Sequence, residues 1–143
     1  MDVIWGVLLT VLTLIAWAGQ VIYAISPQLG AKLGIGEAEA GVDPIFYIDA
    51  CGEAIWDAMI IWTLPVAGIL LMFNNPRWVY FGLVGGGSYL YFAGRILTTR
   101  SMLQRRGIRI GSPNNIRMAY LFTTLWALAA VVTIVMAVAA LDA

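Results

Sequence analysis

Apolar residues dominate the chain in four long runs, which three polar or glycine-rich segments separate. Each run reaches the roughly 20 residues that a helix needs to cross the hydrocarbon core of a bilayer. The pattern predicts an all-α integral membrane protein, a four-helix bundle formed by one domain over residues 1–143. The predicted helices are residues 3–25, 44–73, 78–97, with an extension to 106 left open, and 116–141.

Proline and capping residues mark the predicted helix ends. Pro27 stops the first helix, because proline cannot continue the hydrogen-bond ladder. Asp43 supplies an N-cap for the second helix, and Pro44 suits its first position. Pro65 lies inside the second run and predicts a kink there. The first run has no basic segment before it and exceeds the apolar core of a signal peptide, so we expect a retained helix.

The basic residues predict the orientation. In a four-helix topology the two long loops, 26–43 and 98–115, lie on the same side of the membrane. That side carries Lys32, Arg95, Arg100, Arg105, Arg106, Arg109 and Arg117, whereas Arg77 lies on the other. The positive-inside rule therefore predicts a multi-pass protein of the cytoplasmic (inner) membrane, with both long loops in the cytoplasm and both termini outside.

Three acidic residues, Asp49, Glu53 and Asp57, recur at every fourth position of the second predicted helix. This spacing puts them on one stripe that drifts by about 40° per step. A charge that faces lipid at the bilayer centre costs on the order of 2.5–3.5 kcal/mol even on the milder insertion scale. We therefore expect the stripe to face the bundle interior or a water-filled pocket.

Arg95, near the loop-side end of the third predicted helix, is the candidate partner for this stripe. We predict a buried ion pair between Arg95 and Glu53 or Asp49, because guanidinium and carboxylate groups match in geometry. Asp57 has no evident cation, and we expect it to be protonated. The other predicted members of the polar cluster, at similar depth on the remaining helices, are Gln20, Tyr91, Tyr120 and Thr124.

The cluster admits three interpretations: a structural lock on helix register, a pocket for a ligand or ion, and a catalytic site. The sequence offers no nucleophile paired with a base, which disfavours catalysis and an enzymatic function. It also contains no histidine, so we expect neither haem nor zinc ligation. We expect no other metal site, because bundles that hold metals draw their acids from several helices.

Composition narrows the class of protein further. Hydrophobic residues make up 62% of the chain and charged residues 11%, against about 25% charged in a soluble domain. The formal net charge is zero, so no basic field attracts nucleic acid. Cys51 is the only cysteine, which excludes an internal disulfide, and we expect it to be an inert packing residue. A lipid, quinone or pigment stays open as a cofactor.

Glycines concentrate in the third predicted helix. Gly82 and Gly86 have the GxxxG spacing that permits close approach of helices in a membrane. Two uses are open, packing within the bundle and a dimer seam.

The four-helix layout, the segment 46–56 (FYIDACGEAIW) and the Gly94-Arg95 pair resemble the small membrane proteins grouped with DoxX and BphX-like proteins. That group often has an aromatic-rich start to its second helix and a GR pair near the inner end of its third. The resemblance implies an accessory role, because some members occur beside oxidoreductases or as accessory subunits. Glu53 and Asp57 lie outside the shared pattern.

Two functions are therefore expected. The first is a small accessory or scaffold subunit that packs against other membrane proteins in a larger complex. The alternative is a proton-linked binder or transporter of small apolar or cationic molecules, as a homodimer, with Glu53 and Asp57 as the switchable groups. Small multidrug-resistance transporters also have four helices and an essential membrane glutamate, but theirs lies in the first helix. Membrane lipids are expected partners in both cases.

Overall fold

The computed structural model describes residues 2–142, and within them all regular structure is helical. The helices are α1 Asp2–Ile25, α2 Pro27–Lys32, a short 3₁₀ helix Glu39–Gly41, α3 Pro44–Ile60, α4 Thr63–Met72, α5 Trp78–Arg105 and α6 Pro113–Leu141. Three segments are long and apolar enough to cross a membrane, namely Val3–Ile25, Pro44–Met72 and Pro113–Leu141. The fold is therefore that of an all-helical protein with the character of a membrane protein.

The second predicted helix is divided into two helices close to the expected kink. We predicted the kink at Pro65, but α3 ends at Ile60 and α4 begins at Thr63. Proline lacks an N–H, and its ring crowds the carbonyl group four residues earlier, which is that of Ile61. The break therefore falls one turn before the proline. The Ile61 N–H still donates to the Asp57 carbonyl oxygen at 3.0 Å, which closes the end of α3.

Glycines let α5 pack closely between α4 and α6. A Cβ atom on Gly85 would lie 2.6 Å from the backbone nitrogen of Leu64 in α4. On the other side of α5, a Cβ atom on Gly86 would lie 2.5 Å from Ile134 of α6, and one on Gly82 would lie 3.3 Å from Thr133. Both members of the GxxxG pair are buried and serve packing inside the molecule.

Aromatic donors tie α1 to its neighbours at mid-length. The Tyr89 hydroxyl of α5 donates to the Thr13 carbonyl oxygen at 2.6 Å, and the Trp126 Nε1 of α6 donates to the Leu12 carbonyl oxygen at 2.9 Å. Trp17 of α1 donates to the Ala58 carbonyl oxygen of α3 at 2.9 Å. Apart from the Trp126 bond, α1 and α6 make few contacts, so a gap separates them.

The segments 26–43 and 106–112 pack together at one end of the molecule, called the loop end below. The Asp43 N–H donates to the Arg109 carbonyl oxygen at 2.8 Å, and Val42, Phe46 and Ile110 form a small buried cluster. The second segment is shorter than the predicted loop 98–115. It is short because α5 continues to Arg105 and because α6, with Ser112 as its cap, begins at Pro113, three residues earlier than expected.

Gly85→Ala should destabilise the protein, because the added methyl group meets backbone atoms that cannot move aside. Overpacking of this kind costs about 1–3 kcal/mol. Gly87→Ala is the matched control: a Cβ atom there meets nothing within 4 Å, and alanine in a helix is about 0.5–1 kcal/mol better than glycine. Thermal unfolding in detergent should give a lower midpoint for Gly85→Ala and an equal or higher one for Gly87→Ala. Equal midpoints for the two variants would contradict the close packing of α4 on α5.

Candidate binding site

Arg95 of α5 contacts two acids of α3. Its Nη2 lies 2.6 Å from Asp49 Oδ1, and its Nη1 contacts Glu53 Oε2. One guanidinium thus serves both carboxylates, which leaves the group with a net charge of −1. The side chains are 29% exposed for Arg95, 36% for Asp49 and 10% for Glu53. Arg95 thus contacts both predicted partners, and the group is only partly buried, because Asp49 lies in the second turn of α3, near the loop end.

Three other predicted members of the cluster lie elsewhere. Tyr91 is 58% exposed, so its ring points away from the core. The Tyr120 hydroxyl donates to Gln104 Oε1 at 2.7 Å, and the exposed Thr124 hydroxyl donates to the Tyr120 carbonyl oxygen at 2.8 Å. Sequence spacing puts residues on one face of a helix, but it does not fix how the helix is rotated against its neighbours.

Asp57 is separate from the ion pair. Its side chain is buried at 2% exposure, and its Oδ2 has no hydrogen-bond partner among the described residues. The expectation that it is protonated stays a prediction. No group of three or more acidic or cysteine side chains in residues 2–142 could hold a metal ion.

A cavity of about 600 Å³ lies on the loop-end side of the Trp126–Leu12 hydrogen bond. Its wall consists of residues from α1 (15–23), the segment 34–37, α3 (46–53), α5 (92–100) and α6 (115–126). We call it the α1/α6 cavity. Most of the wall is apolar, and Gln20 and Glu53 of the predicted cluster take part in it. Its volume lies within the roughly 300–1,000 Å³ of sites for drug-sized ligands.

Hydrogen bonds cross the α1/α6 cavity near both of its ends, and one side has little helix packing. At the loop end, Asn115 Nδ2 donates to Glu37 Oε1 at 2.9 Å, and the Tyr23 hydroxyl donates to the Glu37 carbonyl oxygen at 3.0 Å. The Trp126 bond lies near the other end. Between these ties α1 and α6 do not pack, and exposed apolar wall residues flank the gap: Ile15 (62%), Met118 (40%) and Phe122 (38%). We infer that the cavity opens sideways between the two helices.

The charged side chains of the wall differ in whether a protein group pairs with them. Glu53 is bound by Arg95, and Glu37 accepts from Asn115. The Arg100 guanidinium lies over the Phe46 ring, 5.4 Å from its centroid. Among the described residues Arg100 has no hydrogen bond and no ion pair, and it is the one cationic side chain in the wall. The arrangement can thus hold an apolar body with a polar group at one end.

Sequence reasoning missed several of these residues. Arg100 was grouped with the charges that set topology, and Trp126 and Asn115 were not singled out. The one available signal was the five-residue interval from Arg95 to Arg100, which turns the second arginine to a different side of α5. Nothing in the sequence indicates a gap between α1 and α6, because such a gap depends on tertiary packing.

Comparison with known proteins gives no relative from which a function could be carried over. No protein-family model, no curated protein and no solved structure matches this chain. The resemblance to DoxX and BphX-like proteins therefore stays a prediction, and the functional proposal rests on the cavity.

Arg95→Met should destabilise the protein, because it leaves two carboxylates close together without their cation. We expect a loss on the order of 2 kcal/mol, between the roughly 1 kcal/mol of an exposed pair and the roughly 3–5 kcal/mol of a buried one. Thermal unfolding in detergent measures it, with Arg105→Met, at an exposed position of the same helix, as control. Adding Glu53→Gln to Arg95→Met should restore part of the loss. A midpoint for Arg95→Met equal to that of the control would show that the contacts contribute nothing.

Proposed function

We propose that this protein binds a small, mostly apolar molecule in the α1/α6 cavity and takes it from the surrounding bilayer. The observation that carries the proposal is the cavity itself: about 600 Å³, largely apolar in lining and flanked by exposed apolar side chains at its open side. The exposed side chains beside the gap between α1 and α6 are apolar, which suits entry from lipid. A molecule dissolved in lipid needs only to pass between two helices.

The proposal includes four membrane passes. Three segments qualify by length and hydropathy, and α5 is the proposed fourth. Its glycines, tyrosines and Arg95 lower its hydropathy, yet it packs against both α4 and α6. Because α4 and α6 cover two sides of α5, less of its surface faces lipid and has to be apolar. Four antiparallel passes form the proposed four-helix bundle.

The proposed orientation puts the loop end in the cytoplasm and both termini outside. The support is the excess of basic residues in and beside segments 26–43 and 106–112. Labelling of single cysteines placed in these segments and in the turn at 73–77, with a reagent that cannot cross the membrane, tests this orientation. The cytoplasmic membrane of the cell is the proposed location.

The two functions expected from the sequence relate differently to this proposal. The alternative of a binder is kept, and its proton link through Glu53 and Asp57 stays a prediction. The role of an accessory subunit in a larger complex, and homodimer formation, stay predictions that no contact in the single chain supports.

Filling the cavity should weaken binding. Ala119 belongs to the cavity wall, whereas Leu121, two residues along α6, is 52% exposed on another face. We expect Ala119→Phe to weaken binding of dibromostearyl alcohol by about tenfold or more, because the added ring occupies the site. Leu121→Phe should bind like the parent. The readout is saturable quenching of Trp126 fluorescence by the bromine atoms in non-ionic micelles, and Trp126→Phe identifies the signal.

Two results would contradict the proposal. One is the absence of saturable Trp126 quenching in the parent protein. The other is equal quenching curves for Ala119→Phe and Leu121→Phe, which would mean that the probe reaches Trp126 from the micelle and not from the cavity.

A further inference from the structure

The chemistry of the cavity's polar end indicates which class of molecule fits it, and this inference rests on the proposed function. Three charged side chains contribute to the wall: Glu37, Glu53 and Arg100. Both acids already accept from protein donors, Asn115 and Arg95. Arg100 is therefore the one charged side chain of the wall that has no protein partner among the described residues, and its guanidinium only donates.

We propose that the α1/α6 cavity binds a single-chain amphiphile with an anionic oxyacid head group, which Arg100 holds through its carboxylate or phosphate oxygens. A planar guanidinium presents parallel N–H donors that match two oxygens of such a group. The Phe46 ring beneath the guanidinium, 5.4 Å away, limits its rotation and leaves its edge for the ligand.

The position of Arg100 suits the head group of a molecule from the bilayer. Arg100 lies five residues before the end of α5, roughly 8 Å from the loop end along the helix axis. Phe92, at the other end of the cavity, lies eight residues earlier, which is roughly 12 Å along α5. Its ring packs on Trp126 with centroids 5.8 Å apart. The head group would thus lie near the membrane surface, and the chain would point towards Trp126.

Gln20 supplies a second polar contact on the opposite wall. It belongs to α1, lies in the cavity wall, and its amide makes no hydrogen bond among the described residues. An amide can donate to the same oxyanion that Arg100 binds. Arg100 and Gln20 thus offer two sets of N–H donors to an anion at this end of the cavity.

The volume limits the chain of the ligand. About 600 Å³ is the size of a site for a drug-sized molecule, which suits one hydrocarbon chain and not the two chains of a membrane phospholipid. The open side between α1 and α6 allows the end of a longer chain to extend into the bilayer.

The experiment compares three probes that share one brominated chain and differ in head group: dibromostearate, dibromostearyl alcohol and dibromostearyl trimethylammonium. Trp126 quenching in non-ionic micelles, at a pH at which the acid is ionised, gives the affinity of each. We expect the carboxylate to bind tightest. Arg100→Gln should weaken carboxylate binding by about tenfold or more, as expected for loss of a charged hydrogen bond, and should weaken alcohol binding less, because the alcohol carries no charge. Arg100→Lys should bind the carboxylate more weakly than the parent but more tightly than Arg100→Gln. Arg105→Gln, outside the cavity, should bind it like the parent.

The outcomes distinguish the proposed role of Arg100 from the proposal that the α1/α6 cavity binds a mostly apolar molecule. Equal affinity of Arg100→Gln and Arg105→Gln for the carboxylate would overturn the role of Arg100, and tighter binding of the ammonium probe by the parent would overturn the anionic head group. In both cases saturable quenching by the alcohol would leave the cavity as a binding site. A thermal unfolding midpoint of Arg100→Gln close to that of Arg105→Gln shows that this variant is folded. Dibromostearyl phosphate in place of the carboxylate tells which oxyacid is preferred, and preference for either one over the alcohol supports the proposal.

Discussion

The hydrogen bonds that Tyr89 and Trp126 donate to carbonyl groups of α1 are the constraint on which the rest of the structure depends. A carbonyl oxygen in a helix has a second lone pair, so Thr13 and Leu12 can accept these bonds without loss of their own helical bonds. In a medium without water, a buried hydroxyl or indole N–H must find such an acceptor inside the protein. The two donors therefore hold α5 and α6 to α1 at one level of the molecule.

Because α1 and α6 are joined mainly at this one level, a cavity remains between them. The Trp126 bond is the main tie between α1 and α6, and on its loop-end side the two helices separate. The glycines of α5 bring α4 and α6 close on the other side, so the space is not distributed evenly around the bundle. Arg95 then fixes the distance between α5 and α3 at the back of the cavity through its contacts with Asp49 and Glu53.

The sequence predicted those features that depend on local chemistry. Asp43 before Pro44 marked the start of α3, since a cap and a proline act on their own turn. The partnership of Arg95 with the acids followed from the cost of unpaired charge in lipid. The rotation of helices could not be predicted, which is why Tyr91, Tyr120 and Thr124 were expected in the cluster but lie elsewhere. The role of Arg100 depends on which neighbouring groups are already bound, and only the three-dimensional arrangement reveals that.

The central claim is that the α1/α6 cavity holds a small amphiphile from the membrane. Native mass spectrometry of the protein, released in mild detergent from its own membranes, tests it most directly. The account predicts a chain that carries one bound molecule lighter than a membrane phospholipid and releases it when the protein unfolds. A bare chain, or one found only with other protein subunits and without such a molecule, would contradict the claim.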